Sequence, residues 1–379
     1  MTKAGGMNMA TNQSWIMHPG FFLKEEMEAR NWSQRDLAFI LGVPEQAVTL
    51  IVSGKRGISA DMAQALGVAF DVHPDLFANL QKDYEMAQAQ RPDPGVALRA
   101  KMQNIYPVRE MIKRGWITAT DAGMLESQLV RFFNVETADD IPYMAHAARK
   151  SSYDDVPAPQ LAWLFRVRQI AKSIPAPKYS EKALREALVD LEGLLLAPEE
   201  VRHVPRILGE CGVRFIIIEK LRHADIDGVC FWLDQESPVI GMSLKRDTID
   251  NFWFVLRHEI EHVLQKHGQD HEIIDLDLGG FETSTLPPEE QIANSAAAYF
   301  CAPSDRLDNF MKRKHPFYYE KDVIAFSKTV QRHPGLVVGQ MHFRMKRHDY
   351  LARHLAKVRA FVVPGSITDG WGQVVPISL

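Results

Sequence analysis

The residues of this 379-residue chain best suited to chemistry are His258-Glu-Ile-Glu-His262. On a helix, positions i and i+4 share one face, with Cβ atoms about 5–6 Å apart. Two imidazoles at that spacing can hold one Zn2+ at Zn–N distances of about 2.0–2.1 Å. Glu259 falls just beside that face, where its carboxylate can take a proton from an attacking water. The third ligand must come from elsewhere, because Gln265 and Gly268 occupy the glycine and final histidine positions of the longer three-histidine motif. The next helix opens with Glu289 and Glu290, two carboxylates suited either to complementing the helix dipole or to ligation. Small residues at Ala293, Ala296, Ala297 and Ala298 let that helix approach another closely.

The elements that must position these groups are legible around them. Phe252, Phe254, Val255, Leu256, Val263 and Leu264 predict a buried helix over residues 248–267, and a second helix is expected over 288–302, stopped by Pro303. Three apolar, β-branched or aromatic runs ahead of them, 213–218, 228–233 and 238–244, read as strands. Further helices are expected over 320–331 and 335–359, the latter interrupted near Met345. The stretch 362–379, with Pro364, Gly365, Gly370, Gly372 and Pro376, reads as loop or edge strand.

The run Phe252-Trp-Phe-Val-Leu-Arg-His258-Glu-Ile-Glu-His262-Val-Leu-Gln-Lys-His267, followed by Glu290, Ala293, Asn294, Ala297, Phe300 and Pro303, resembles the ImmA/IrrE family of metallopeptidases. Pro238-Val-Ile before it and His333-Pro-Gly-Leu-Val-Val-Gly339 after it extend the likeness over residues 200–345. The resemblance implies a zinc site of His258, His262 and Glu290 with Glu259 as general base. Glu290 is singled out because the family's liganding Glu lies three residues before the Ala-Asn pair. His267 is a recurrent position of the family. It and Tyr299 are candidates to touch a ligand or the substrate. Two residues depart from the family pattern: Ala296 stands for its usual Phe, and Glu261 for its common Gly.

The N-terminal region has a different logic. Ser33 is placed to cap a helix with Asp36 three residues on, and Gly42 ends it; Pro44 starts the next, which Gly54 stops. Trp32–Val43, then 44–53 and Gly54-Lys-Arg56, resemble an Xre-type (Cro/cI-like) helix-turn-helix. The continuation Ile58-Ser-Ala-Asp-Met-Ala-Gln-Ala-Leu66 resembles HigA-type antitoxins. In such a motif the second helix presents its N-terminal side chains to the major groove. Glu45, Gln46, Thr49 and Leu50 would then face bases, and Gln34, Ser53, Lys55 and Arg56 phosphates.

Charge limits how that could work. The formal total is −4, yet residues 310–359 carry twelve Lys/Arg against three Asp/Glu, leaving −13 for the remainder. Residues 264–310 hold nine acids against two bases, and residues 1–92 hold ten against eight. DNA binding by a near-neutral N-terminal region must be local, dimeric and weak per contact. Three separated cysteines, Cys211, Cys230 and Cys301, offer no disulfide framework, which fits a reducing cytoplasm. No signal peptide or membrane-spanning run is expected.

The expected fold class is mainly α with a small β-sheet. Its parts are a disordered leader (1–17), a helix-turn-helix bundle (18–91), a helical connector (96–196), a zincin-like α+β peptidase domain (197–360) and a C-terminal tail (361–379). The expected protein is a cytoplasmic DNA-binding transcriptional regulator with a zinc-dependent endopeptidase domain. Its setting would be stress response or a toxin–antitoxin pair, and it would cleave a partner or itself. The alternative is a HigA-like antitoxin and repressor whose peptidase domain is a non-proteolytic metal sensor or partner-binding module. The implied partners are operator DNA at its own promoter, a protein substrate or cognate toxin, and a second copy forming a homodimer; no membrane is implied.

Overall fold

The structure, a computed structural model, describes residues 16–93, 95–118, 121–142, 156–269, 273–275 and 287–371. Most of the expected leader (1–15) and the end of the tail (372–379) therefore lie outside the described residues. The chain divides into two units at Asp93/Pro94, inside the Arg91-Pro-Asp-Pro-Gly95 breaker run.

The first unit is a bundle of five helices: α1 (Pro19–Ala29), α2 (Gln34–Leu41), α3 (Glu45–Val52), α4 (Ala60–Phe70) and α5 (Asp75–Gln88). Its starts and stops follow local chemistry. Ser33 and Asp36 form a reciprocal capping box at α2, and Ser59 caps α4 by accepting from the Met62 N–H. Gly42 ends α2 in the left-handed region at φ 67°, where a side chain would be strained. Leu23, Leu37, Val48, Ile51, Leu66 and Phe77 meet in one core, which fixes the crossing of α2 and α3. Gly20 is dictated by packing, since a Cβ there would overlap the Ile51 carbonyl.

The second unit is built on a four-stranded sheet in the order β1-β3-β2-β4, with β1 (Arg214–Ile217), β2 (Gly228–Trp232), β3 (Pro238–Met242) and β4 (Ile273–Asp275). β1 runs parallel to β3, and β2 is antiparallel to both β3 and β4. Strand side chains alternate between faces. Phe215, Ile217, Cys230, Trp232, Ile240 and Met242 share a core with α12 (Ile249–Leu264). Ile216, Ile218, Val229, Phe231 and Val239 belong to the core of the opposite face, with α9 (Ala158–Ser173). The stretch 95–196 holds α6 (Gly95–Ile105), α7 (Val108–Lys113), α8 (Ala122–Phe133), α9 and α10 (Glu181–Gly193). That second face is covered by helices α6 to α9. Set apart as a connector on sequence, α6 to α9 share one hydrophobic cluster with the sheet, and α10 joins the α12 side. Trp163, fully buried on α9, donates from Nε1 to the Ile218 carbonyl at 2.9 Å. Gly241 permits the approach, because a Cβ there would press on Val167 and Trp163.

α11 (Val204–Glu210) precedes β1, and α12 is followed by α13 (Pro288–Cys301), α14 (Ser304–Lys314), α15 (Glu320–Thr329), α16 (Pro334–Met345) and the short α17 (Arg359–Val362). The helix expected over 335–359 is interrupted near Met345, as the sequence suggests. It stops at Met345, Lys346 and Leu351 take left-handed backbone (φ 52° and 48°), and after a 3-10 turn at Ala352–His354 α-helix resumes at Arg359. Asp247 then caps the restart by accepting from the Val358 and Arg359 N–H groups at 2.9 and 2.8 Å. Ile367 pairs with Ile216 in a parallel bridge, so the described part of the tail adds to the β1 edge. No helix among the described residues is long and apolar enough to cross a membrane.

Replacing Trp163 by Ala removes a fully buried ring that ties α9 to the sheet. It is expected to cost about 3–5 kcal/mol of unfolding free energy, read from urea denaturation. A loss below about 1 kcal/mol would show that residues 156–174 do not support the sheet.

Candidate metal centre and candidate nucleic-acid interface

α12 carries its histidines into a fully enclosed environment: His258, Glu259 and His262 are all 0% exposed. Phe252, Trp253, Val255, Leu256 and Ile260 seat the helix on the sheet, so the two imidazoles are fixed by packing on a rigid element. α13 lies along α12, and its small Ala293 and Ala297, both fully buried, allow the approach. That approach delivers Glu290. Its Oε2 is 3.3 Å from His258 Nε2 and its Oε1 3.4 Å from His262 Nε2, while the two Nε2 atoms are 2.9 Å apart. Two ligand atoms on a tetrahedral zinc are about 3.3 Å apart for bonds near 2.0–2.1 Å, which both Glu290–imidazole separations match, while the two imidazoles lie somewhat closer together. Among the described residues these three form the one His/Cys/Asp/Glu group with ligand atoms within 4.8 Å of one another.

The surroundings orient the ligands. His258 Nδ1 lies 3.1 Å from Asn294 Oδ1, which can only accept. The proton is therefore assigned to Nδ1, leaving the Nε2 lone pair for a cation. His262 Nδ1 meets His267 Nδ1 at 3.0 Å, and the His267 carbonyl is held by Trp232 Nε1 at 2.9 Å. His267 is thus brought to the cluster. Tyr299 is not: it lies nine residues beyond Glu290, half a turn round α13, and is 59% exposed. Glu289, the other carboxylate of the first turn, is exposed.

Glu259 packs over Gly228 of β2, where a Cβ would overlap its carboxylate. Glu261, at the family's Gly position, is accommodated by a local network. Arg257 donates to its Oε2 at 2.7 Å and Gln265 to its Oε1 at 2.7 Å. Burial pushes the Glu261 carboxyl up, but these two hydrogen bonds and the Arg257 charge outweigh it and hold it below the usual Glu value.

In the first unit, the predicted DNA-facing residues lie on α3 and the turn after it, with Gln34 at the start of α2. Glu45, Gln46, Thr49, Ser53, Lys55 and Arg56 are exposed, and Gln34 and Leu50 are partly buried. The Thr49 hydroxyl donates to Gln34 Oε1 at 2.7 Å, linking the start of α2 to the middle of α3. The Leu50 carbonyl accepts from the Lys55 and Arg56 N–H groups at 2.8 and 3.0 Å, which pins the basic turn to the end of α3. Arg35 lies 3.3 Å from Glu45 and offsets its charge on this face.

Three positions escaped sequence reasoning. Asn294 was in view only as part of a motif, although it stands one turn after Glu290 on the same face. Gly228 read simply as the start of a strand. Arg35 offered no signal at all, because its partner is ten residues away across a turn.

Fold and site together define a two-unit protein: a five-helix bundle containing a helix-turn-helix, and a mixed α/β unit with a buried His-His-Glu cluster. Residues 23–77 match the helix-turn-helix family HTH_3. Over 72 residues, 19% of this chain, the sequence is 36% identical to virulence-associated protein A' of Dichelobacter nodosus, and it spans 63% of that relative's length. It is 26% identical over 73 residues (19% of this chain, 78% of the relative) to the uncharacterized HTH-type transcriptional regulator YddM of Escherichia coli strain K12. Among solved structures, the Pseudomonas aeruginosa antitoxin HigA with the higBA promoter is 37% identical, covering 24% of this chain and 89% of that one, with a TM-score of 0.19.

If Asn294 sets the tautomer of His258, Asn294→Ala should weaken zinc affinity by about 10–100-fold in competition with a chelating dye. Unchanged affinity would remove Asn294 from the site.

Proposed function

We propose that this chain is a DNA-binding transcriptional regulator whose second unit is a zinc-dependent endopeptidase acting on a protein partner or on the chain itself. The observation that carries the peptidase reading is the convergence of His258, His262 and Glu290 at 2.9–3.4 Å, beside a buried Glu259. Zinc held by these three would lower the pKa of a bound water toward about 7 and polarise a peptide carbonyl. The chain's own residues do the rest. Asn294 and His267 orient the imidazoles, and Glu259 takes the proton of the attacking water and returns it to the leaving amine. Gly228 gives that carboxylate its place on β2.

The DNA-binding reading rests on the HTH_3 match over residues 23–77 and on the exposed α3 and basic turn. One similar protein, the P. aeruginosa antitoxin HigA, is seen with the higBA promoter. For this chain the target we propose is an operator at its own promoter, read by a homodimer through Gln46 and Thr49 on bases and Lys55 and Arg56 on phosphates. The second reading, a HigA-like antitoxin whose His-His-Glu cluster senses metal without cleaving, draws on the Glu261 network in place of the family's Gly.

Glu259→Gln preserves the shape of the site and removes its base. Cleavage of neighbouring gene products is expected to fall by about 10²–10⁴-fold, with zinc retained. Undiminished cleavage by the variant rules out the peptidase assignment, and cleavage absent from the wild type as well supports the sensor. Separately, promoter DNA should be shifted by the full chain at low salt with an affinity that falls steeply as salt rises. Failure to shift it would dismiss the regulator.

A further inference from the structure

α14 and α15 form a hairpin that neither the metal cluster nor the helix-turn-helix uses. Phe310 stacks on Phe326 at 4.6 Å and 18°, and Lys314 reaches Asp322 at 3.1 Å. Between the helices a cavity of about 650 Å3 opens to solvent, with Arg306, Lys312, Arg313 and Lys314 on its walls and Asp322 as its one acid. Among the described residues, Arg306, Lys312 and Arg313 reach no carboxylate; Arg313 Nε donates instead to the Asn309 carbonyl at 3.3 Å. Lys312, Arg313 and Lys314 suit the C-terminal partial charge of α14. Arg306 sits in the first turn of the same helix, where that partial charge is positive, so the helix dipole gives no reason for it.

At the closed end of the hairpin, the connecting loop presents Phe317 and Tyr319, 67% and 61% exposed. Their rings lie 6.5 Å apart and 25° from parallel. Two large, flat, solvent-facing rings on the loop that joins Lys314 to Asp322, with the cations of the cavity those two residues line, are the two components that bind unpaired nucleotides: cations follow the phosphates and rings stack on the bases. We propose that the α14–α15 hairpin binds a single-stranded stretch of nucleic acid. An acidic polypeptide would use the cations but leave the ring pair idle. A duplex hides the base faces that the rings need. The surface stands on its own observations, independent of both proposed activities.

The test is fluorescence anisotropy of the full chain with an oligothymidylate of about 20 nucleotides at low salt. We expect binding that weakens with salt and falls about tenfold or more in Lys312→Glu/Arg313→Glu. A loss of about tenfold is expected in Phe317→Ala/Tyr319→Ala, with Tyr319→Phe binding as wild type. Gln46→Ala/Thr49→Ala, altered only on α3, should also bind as wild type, and circular dichroism melts should confirm that every variant is folded. Absence of binding by the wild type overturns the proposal, as does loss of binding in the α3 variant. So does an unaffected ring variant with polyglutamate competing as well as the oligonucleotide, which would make the hairpin an acidic-polypeptide surface.

Discussion

The close packing of α13 on α12 is the contact on which the second unit depends. A helix bearing His258 and His262 supplies two donors and no more. The third donor arrives only because Ala293 and Ala297 are small enough to let α13 lie against α12 with Glu290 at the level of both imidazoles. The same contact places Asn294 against His258 and seals Cys301, whose thiol burial pushes up. Enlarging either alanine would move Glu290, Asn294 and the helix axis together, so ligation and packing are not separable here.

That contact needs a support on its far side, and the sheet provides it. α12 rests on one face through Ile240, Met242 and Trp232, and α9 braces the other through Trp163. Helices α6 to α9 are thus half of the sandwich that holds the site still. Glycine appears where two layers must touch: Gly228 under the Glu259 carboxylate and Gly241 under Trp163. The first unit uses the same economy, with Gly20 fitted to the Ile51 carbonyl.

Much of this was legible in the sequence, because local periodicity and capping govern most of it. The helices around His258 and Glu290, the three main strands, and the Ser33–Asp36 capping box are all short-range features. What escaped depends on long-range contact or on backbone conformation. β4 is three residues long and takes its identity from pairing with β2. α14 is so polar that its periodicity is carried by Leu307 and Phe310 almost alone. The end of α16 turns on Lys346 adopting left-handed backbone, which lysine does not advertise. At the site, the residue types marked the ligands, whereas Gly228 and the placement of residues 95–196 became visible only once strands and helices were stacked.

Everything proposed for the second unit depends on whether His258, His262 and Glu290 hold zinc. The direct measurement is zinc content and X-ray absorption of the purified full chain. The expected result is one zinc per chain with two imidazole nitrogens at about 2.0–2.1 Å, oxygen completing the shell, and loss of the metal in His262→Ala. A chain without stoichiometric zinc, or zinc bound to sulfur at about 2.3 Å, would contradict it.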